Sequence, residues 1–158
     1  MRAKREQLIL FMNTGTSSAP VWSVIGRDIE DLSRTMNYDV QSKNNILGEA
    51  SVDVTKGPQT TTVDPVKMDN DDPVAERLYD IYAKNLDGSD VENDFVEVSA
   101  FKQAGAGEYE AFRQNGAISL TSFGGDTTGV NAPFEINWKG ERVAGTFNPT
   151  TKTFTPAV

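Results

Sequence analysis

The sequence contains no cysteine and no histidine. Without cysteine, the chain cannot form a disulfide, use a thiolate nucleophile or bind a metal through a thiolate. Without histidine, it lacks the commonest general base and the commonest transition-metal ligand, so a Ser-His-Asp triad cannot be built. We therefore expect no enzymatic activity, no catalytic or metal-binding residues and no cofactor.

Long apolar runs are absent too, since none approaches the roughly 20 residues that span a bilayer, and we expect no membrane association. The first residues, MRAKREQLILFM, superficially imitate a signal peptide, but their apolar part, residues 8–12, is too short for one. The polar, turn-rich stretch NTGTSSAP follows. We interpret residues 1–20 as an N-terminal arm outside the core, and residues 21–158 as a single domain.

Basic residues are scarce, with 15 Lys and Arg against 23 Asp and Glu, which gives a net charge of −8. Three of the basic residues, Arg2, Lys4 and Arg5, lie in the first five positions, so the rest of the chain is more acidic than the total suggests. A protein that grips nucleic acid by its phosphates needs a basic face. The body of this protein is therefore predicted to repel nucleic acid.

The first half of the domain has β character. Residues 21–26 are β-branched and aromatic, which favours a strand. From residue 48, apolar Ala50, Val52 and Val54 alternate with polar residues, which is typical of a strand with one buried face and one wet face. A Lys-Gly-Pro breaker and the polar run QTTTVD follow, so residues 54–66 are predicted to form a projecting hairpin or loop.

A helix is predicted over residues 72–86. Asp72 supplies an N-cap carboxylate, and a proline occupies the first helical position. The residues Val74, Leu78, Ile81 and Tyr82 then fall on one stripe. Gly88 lies where we expect the chain to leave the helix.

Four strands are predicted after the helix, over residues 95–102, 108–120, 128–139 and 143–154. They are separated by glycine-rich segments and by an Asn-Pro-Thr turn near the end. The fold class is therefore mainly β with a minor α component, an antiparallel β-sandwich or barrel with one flanking helix.

The stretch FGGDTTG, residues 123–129, looks at first like a phosphate-binding loop. A P-loop needs a lysine after its last glycine and a helix behind it, whereas here the context is strand on both sides. We interpret the stretch as a turn in which glycine takes positive φ and Asp126 or a threonine bonds its own backbone.

Two groups of acidic residues are candidate binding or catalytic sites. Residues 69–72, DNDD, lack the glycine and glutamate of an EF-hand loop and suit a helix N-terminus. Glu108, Glu110 and Glu135 could serve a carboxylate-based glycosidase, but acids on a strand's wet face are more often solvated. An acid-based hydrolase is therefore disfavoured.

Several short segments, in this order and spacing, resemble the major tail protein, or tail tube protein, of tailed bacteriophages of Gram-positive hosts. They are FMNTGT (11–16), WSVIGRDIEDL (22–32), NNILGE (44–49), DDP (71–73), YEAFRQ (109–114), FGGDTTG (123–129) and PFEI (133–136). The resemblance covers most of residues 11–140 and is weakest after residue 140.

The resemblance implies a β-sandwich subunit whose copies form hexameric rings that stack into a hollow tube. Strands from each subunit would join into one barrel around the channel, while a long hairpin and the termini bridge successive rings. Double-stranded DNA would pass through without specific binding. Tape-measure, baseplate and tail-terminator proteins are implied partners, and the implied location is the virion tail, after assembly in the host cytoplasm.

Two sets of site residues follow from this resemblance together with the strand alternation. The predicted lumen-lining residues are Glu49, Ser51, Asp53, Thr60 and Thr62, because a mildly negative polar wall lets DNA slide. The predicted inter-ring or subunit contacts are Leu8, Ile9, Leu10, Phe11, Gly57, Pro58, Gly124, Gly125 and Asp126, because an exposed apolar patch is a liability in solution and glycines allow close backbone approach.

Two alternatives remain open at this stage. The same fold could form the inner tube of a contractile tail, a phage-tail-like bacteriocin or a secretion system, which a neighbouring sheath gene would reveal. The chain could instead be a small β-sandwich carbohydrate-binding module, which would expose a row of aromatic side chains. We expect Trp22, Trp138 and Tyr109 to lie in the core instead.

Overall fold

A computed structural model describes residues 2–16, 18–26, 29 and 32–157. The strands are β1 (Leu8–Asn13), β2 (Trp22–Ile25), β3 (Arg34–Thr35), β4 (Tyr38–Asn44), β5 (Ala50–Lys56), β6 (Thr60–Val63), β7 (Glu92–Gly105), β8 (Glu108–Leu120), β9 (Gly124–Asp126), β10 (Gly129–Asn131), β11 (Phe134–Asn148) and β12 (Thr153–Pro156). The helix α1 spans Pro73–Lys84, and 3-10 turns span Arg5–Gln7 and Gly88–Val91. The sequence WSVIGRDIEDL has four residues, 27, 28, 30 and 31, that lie outside the described part.

Eight strands form one antiparallel sheet in the order β2-β1-β7-β8-β11-β6-β3, with β12 also paired to β11. The long strand β11 pairs with β8 along its length, while its first residues pair with β6 and its last with β12. Two further pairs, β4 with β5 and β9 with β10, form separate two-stranded sheets. The prediction of a mainly antiparallel β fold with a flanking helix is confirmed for the described residues.

The larger core cluster lies between the sheet and α1. Successive side chains on a strand point to opposite faces, so Leu10 and Met12 of β1 face the helix while Phe11 faces away. Helix residues Val74, Leu78 and Ile81 pack in the same cluster. The sheet also contributes to this cluster the side chains of Phe95, Ile118, Phe134 and Ile136.

The smaller cluster covers the opposite face of the sheet near β1, β2 and β12. Its buried members are Phe11, Trp22, Val96, Val98, Ala111 and Phe147. The rings of Phe11 and Phe147 are 4.8 Å apart. Half-buried Tyr109 and Phe154 pack at its margin. The expectation that Trp22 belongs to the core is therefore confirmed, while Tyr109 packs against the core without being buried.

The helix begins as predicted. The Asp72 side chain accepts a hydrogen bond from the Val74 N–H at 3.1 Å, and Pro73 occupies the first turn. The end is different, because the helix terminates at Asn85, which adopts left-handed backbone with φ 51°. Gly88 also has a positive φ, 60°, but lies beyond the end of the helix. Asparagine tolerates this conformation, so it ends the helix three residues before the glycine.

The prediction that residues 1–20 form an arm outside the core is wrong. Strand β1 lies inside the sheet, between β2 and β7. Leu10 and Phe11 are each 6% exposed and Met12 is fully buried. The apolar run therefore belongs to the subunit's own core, because both of its alternating faces are covered.

The projecting hairpin exists, but it comprises β4 and β5 (residues 38–56) and not residues 54–66. Strand β6 belongs to the main sheet, paired with β11 and β3. Its Thr61 and Val63 are buried, 3% and 0% exposed, while Thr62 is exposed. Few large apolar side chains are needed there because this short strand lies close to the sheet's edge.

The last two predicted strands are largely one. Strand β11 runs through residues 140–142, where four steps of β11 match two steps of β8 and the register shifts. Gly140 takes φ 72° there. The Asn-Pro-Thr turn is confirmed as the connection between β11 and β12. A bulge of this kind bends a strand without ending it, which explains why the sequence signal resembled a break.

Candidate functional site

The rest of the described subunit does not cover the β4–β5 hairpin, so packing within the subunit does not account for this element. Its strands have seven residues each, and every one of those residues is exposed. The strands pair in regular register from Tyr38 with Lys56 to Asn44 with Ala50. A two-stranded hairpin alone is marginally stable in water.

The two faces of this hairpin differ in chemistry. One face, which we call the apolar hairpin face, carries Tyr38, Val40, Val52 and Val54, which are 48%, 59%, 62% and 59% exposed. The smaller or polar residues on the same face are Ser42, Asn44, Ala50 and Lys56. The other, the polar hairpin face, carries Asp39, Gln41, Lys43, Ser51, Asp53 and Thr55. Exposed contiguous apolar surface that is flanked by polar residues marks a contact with another molecule.

The base of the hairpin is fixed by a close backbone approach. The Gly57 N–H donates to the Asn37 carbonyl oxygen at 2.9 Å, and the Asn37 side chain donates to the Pro58 carbonyl oxygen at 2.6 Å. A Cβ on Gly57 would lie 2.2 Å from that Asn37 oxygen. Gly57 and Pro58 therefore close the base of the hairpin within the subunit, and their predicted contact between subunits stays a prediction.

Three of the predicted lumen residues lie on or beside the polar hairpin face. Ser51 and Asp53 are exposed on it, opposite Lys43 and Gln41 respectively. Glu49 is exposed in the connection just before β5. None of the three is buried in the subunit, and their position in a channel stays a prediction.

The other two predicted lumen residues lie on β6 in the main sheet, on the face away from α1. Thr62 pairs with Glu135 and Thr60 with Asn137. This part of the sheet face is polar because the smaller core cluster does not extend over it. Farther along the same face, Asp94 accepts hydrogen bonds from Arg113 at 2.7 Å and Asn115 at 3.2 Å.

The predicted contacts in β1 divide into two groups. Leu10 and Phe11 are buried within the subunit, so they cannot serve as contacts between subunits without unfolding. Leu8 and Ile9 are half-buried and remain accessible. They line an open cleft beside β2.

The FGGDTTG stretch forms a tight hairpin of β9 and β10, as its turn chemistry predicted. The Asp126 carboxylate accepts hydrogen bonds from the Thr128 hydroxyl and from its N–H. The Thr128 hydroxyl, and then the N–H, lowers the pKa of Asp126 below its ordinary value. Gly124, Gly125 and Asp126 are all exposed, so a contact with another subunit stays a prediction.

Replacing Gly125 with valine is expected to destabilise the subunit by about 1–3 kcal/mol. The φ at this position is 141°, a backbone conformation in which any residue other than glycine is strained. A Cβ there would also lie 2.1 Å from the Gly129 carbonyl oxygen. Gly124→Val is the matched control, since a Cβ at Gly124 meets nothing within 4 Å. Thermal unfolding distinguishes the two variants. Equal unfolding temperatures would contradict this explanation of the glycine pair.

The remaining exposed or half-buried aromatic side chains make contacts within the subunit. Trp138 is half-buried, donates its indole N–H to the Thr61 hydroxyl at 2.8 Å and has the Arg34 guanidinium 4.2 Å from its ring centre. Burial lowers the pKa of Arg34 from its ordinary high value. Exposed Tyr82 is covered on one ring face by Phe123, at 4.1 Å. No cluster of three or more possible metal ligands occurs in the described ranges.

Sequence reasoning missed the apolar hairpin face. It recognised the alternation of Ala50, Val52 and Val54 but placed the apolar side in the subunit's core. The available signal was the second strand, where Tyr38 and Val40 alternate with Asp39 and Gln41. Two neighbouring amphipathic strands indicated a hairpin with an apolar side.

Comparisons with known proteins show a likeness in fold and none in sequence family. No protein-family model matches the sequence, and no curated protein matches it. Among solved structures, the chain is similar to the cap of the anti-feeding prophage, described as the AFP tube terminating cap and determined by cryo-EM. The TM-score is 0.57 at 11% identity, with 92% of each chain covered, so the likeness is one of overall fold.

No helix among the residues described here combines the length and apolar character needed to cross a membrane.

Proposed function

We propose that this chain is a structural subunit of a phage tail, and that its copies join into rings that stack as the tail tube. The observation that carries this proposal is the apolar hairpin face, four large side chains exposed by about half or more. In a monomer, these exposed apolar side chains contribute little to the stability of the fold. A ring of copies would cover it, since each hairpin would lie against a neighbouring subunit.

Covering one hairpin face leaves the other face free. Because side chains alternate, the polar hairpin face would then point away from the subunit contact, toward the channel. Its residues are acidic or neutral apart from Lys43. Six subunits in a ring, the number that the resemblance implies, would bring their hairpins together as one continuous barrel.

The acidic composition supports a conduit for double-stranded DNA. Each lysine or arginine that contacts a phosphate releases counterions and adds affinity, so a basic channel would hold DNA in place. A net charge of −8 favours passage without specific binding. The proposed partners are a tape-measure protein, a baseplate and a tail terminator, and the proposed location is the virion tail.

A second candidate is the terminal cap of a tube. The fold likeness to a tube terminating cap over 92% of both chains favours it. The two candidates differ in one property, because a tube subunit must bind copies on both ends of its ring, whereas a cap must stop growth at one end.

Electron microscopy of the concentrated protein, alone and co-expressed with the proteins encoded beside its gene, tests both candidates. Stacked rings or long hollow tubes are expected for the tube subunit. Single rings that bind only to the ends of tubes made by a neighbouring protein would favour the cap. Monomers alone under both conditions would overturn the proposal. A sheath gene beside it would place the tube in a contractile machine.

A further inference from the structure

Another exposed apolar region lies beside α1, at a cleft that we call the helix cleft. Its volume is about 560 Å³, and its described lining comes from three stretches of chain, residues 68–70, 76–80 and 123–130. The undescribed charged residues within 27–31 adjoin none of these stretches in sequence. The helix cleft is therefore separate from the β4–β5 hairpin and from the N-terminal strands.

Three aromatic rings meet at the helix cleft. Tyr79 is 53% exposed, and its ring centre lies 6.1 Å from that of Phe123. Tyr82, at the margin and 52% exposed, stacks on Phe123 with 4.1 Å between ring centres. Met68 and Val130 complete the apolar lining. Because the rings hold one another in place, they offer a partner an apolar surface that loses little conformational freedom on binding.

Two carboxylates of α1 line the helix cleft beside the rings. Glu76 and Asp80 are four residues apart, so they are neighbours on one face of the helix, where like charges repel. The described lining contains no cation. Arg77 has other partners, since its guanidinium donates to the Asn93 side chain at 2.9 Å and to the Asp90 carbonyl oxygen at 2.8 Å. Neutralising this pair of carboxylates therefore requires a cation from outside the subunit.

Charge and aromatic surface together favour a cationic, apolar partner. Asp69 is a third acidic residue in the described lining. Lysine and arginine side chains are attracted both to carboxylates and to the faces of tyrosine and phenylalanine rings. Nucleic acid would be repelled, and a second copy carries the same net charge of −8. The complementary partner is therefore a basic, apolar segment of a different protein.

The helix cleft and the hairpin lie at opposite ends of β6. At the hairpin base, the Gln59 carbonyl oxygen accepts a hydrogen bond from the Trp138 N–H at 3.1 Å, and β6 then runs to Val63. Farther along, the Met68 N–H donates to the Val130 carbonyl oxygen at 3.1 Å, and both residues line the cleft. A ring that covers the apolar hairpin face would therefore leave the helix cleft accessible.

We propose that the helix cleft binds a segment of a second protein that carries two cations one helical turn apart beside an apolar anchor. The cations pair with Glu76 and Asp80, whose spacing they match, and the anchor packs against Tyr79 and Phe123. The inference goes beyond the proposed ring and does not require it, because the described residues of the cleft all belong to one subunit.

A designed peptide tests the chemistry of the cleft. The probe is a short, fluorescein-labelled helical peptide with two arginines one turn apart and a leucine on the same face. A control peptide has glutamine in place of both arginines. Fluorescence anisotropy measures binding to the isolated subunit at low salt, where charge pairs are least screened. We expect the glutamine peptide to bind about tenfold more weakly than the arginine peptide.

Matched variants of the subunit locate the binding. Glu76→Gln combined with Asp80→Asn should weaken binding of the arginine peptide about tenfold, and Tyr79→Ser should weaken it severalfold. Glu108→Gln combined with Glu110→Gln removes the same charge at the far end of β8, and should change the affinity by less than about twofold. Equal weakening by the two double variants, equal binding of the two peptides, or no binding would overturn the inference.

Assembly of the same variants distinguishes a second protein from a second copy. The variants at Glu76, Asp80 and Tyr79 should form rings and tubes at the same concentration as the unaltered protein, as seen by electron microscopy. Loss of assembly would show that another copy occupies the cleft, and would overturn the inference. If the unaltered protein stays monomeric while the peptide binds at the cleft, the ring proposal fails and the docking inference stands.

Discussion

Replacing Val52 with aspartate is expected to prevent ring and tube formation at concentrations where the unaltered protein assembles, while leaving the unfolding temperature of the isolated subunit unchanged. Val52 is 62% exposed and lies in the middle of the apolar hairpin face, opposite Ser42. A charge there has no cost in the monomer but must lose its water in an assembled contact. Central contact residues contribute about 2–4 kcal/mol, which corresponds to at least a 30-fold rise in the assembly concentration.

Ser51→Asp is the matched control for this prediction. Ser51 is adjacent in sequence but lies on the polar hairpin face. Its variant should assemble normally, because that face is proposed to border a channel that already carries carboxylates. Sedimentation and electron microscopy measure both variants. Normal tubes from Val52→Asp, or equal loss in the two variants, would contradict the assignment of the two faces.

Replacing Phe11 with alanine is expected to destabilise the subunit by about 3–5 kcal/mol, the usual cost of removing a buried phenylalanine. Its side chain is 6% exposed and its ring lies 4.8 Å from that of Phe147. Denaturant unfolding of the monomer measures the change.

Ile46→Ala is the control for Phe11→Ala, since Ile46 is also a large apolar residue but contacts solvent on all sides. Its free energy of unfolding should stay within about 0.5 kcal/mol of the unaltered protein. If Phe11→Ala were equally neutral, β1 would contribute no core packing, and the interpretation of residues 1–20 as an arm would be restored.

The helix and most strands could be predicted because their signals are local. Asp72 and Pro73 identify the start of α1 through backbone chemistry that needs no tertiary partner. The bounds of β8 were predicted to the residue, since glycine-rich segments at residues 105–107 and 124–125 separate it from the neighbouring strands. Both are cases in which local preference and final packing agree.

The predictions for β1 and β6 were wrong because the strands with which they pair are distant in sequence. Residues 8–12 form a short apolar run after a basic start, and only pairing with residues 95–99, far along the chain, makes them a core strand. Strand β6 has the opposite difficulty. Its threonines favour a strand, but its lack of large apolar side chains suggested a projecting loop, and only its pairing with β11 makes it part of the main sheet. Neither pairing can be recognised from a few consecutive residues of the sequence.

The candidate site was recognised in part. Ser51 and Asp53 were selected by alternation, and the structure places them together on one exposed hairpin face. The opposite face was assigned to the core, because alternation tells which residues share a side and does not tell what covers that side. In a subunit that assembles, the covering surface belongs to another chain.

Strand β11 links the two core clusters and so affects how the subunit unfolds. It contributes Phe134 and Ile136 to the larger core cluster and Phe147 to the smaller one, and it pairs with β8 along both. Loss of either cluster therefore withdraws support from the other, so the two should unfold as one cooperative unit. The β4–β5 hairpin lies outside this unit and can open locally, which lets the subunit fold completely before its contact surface is engaged.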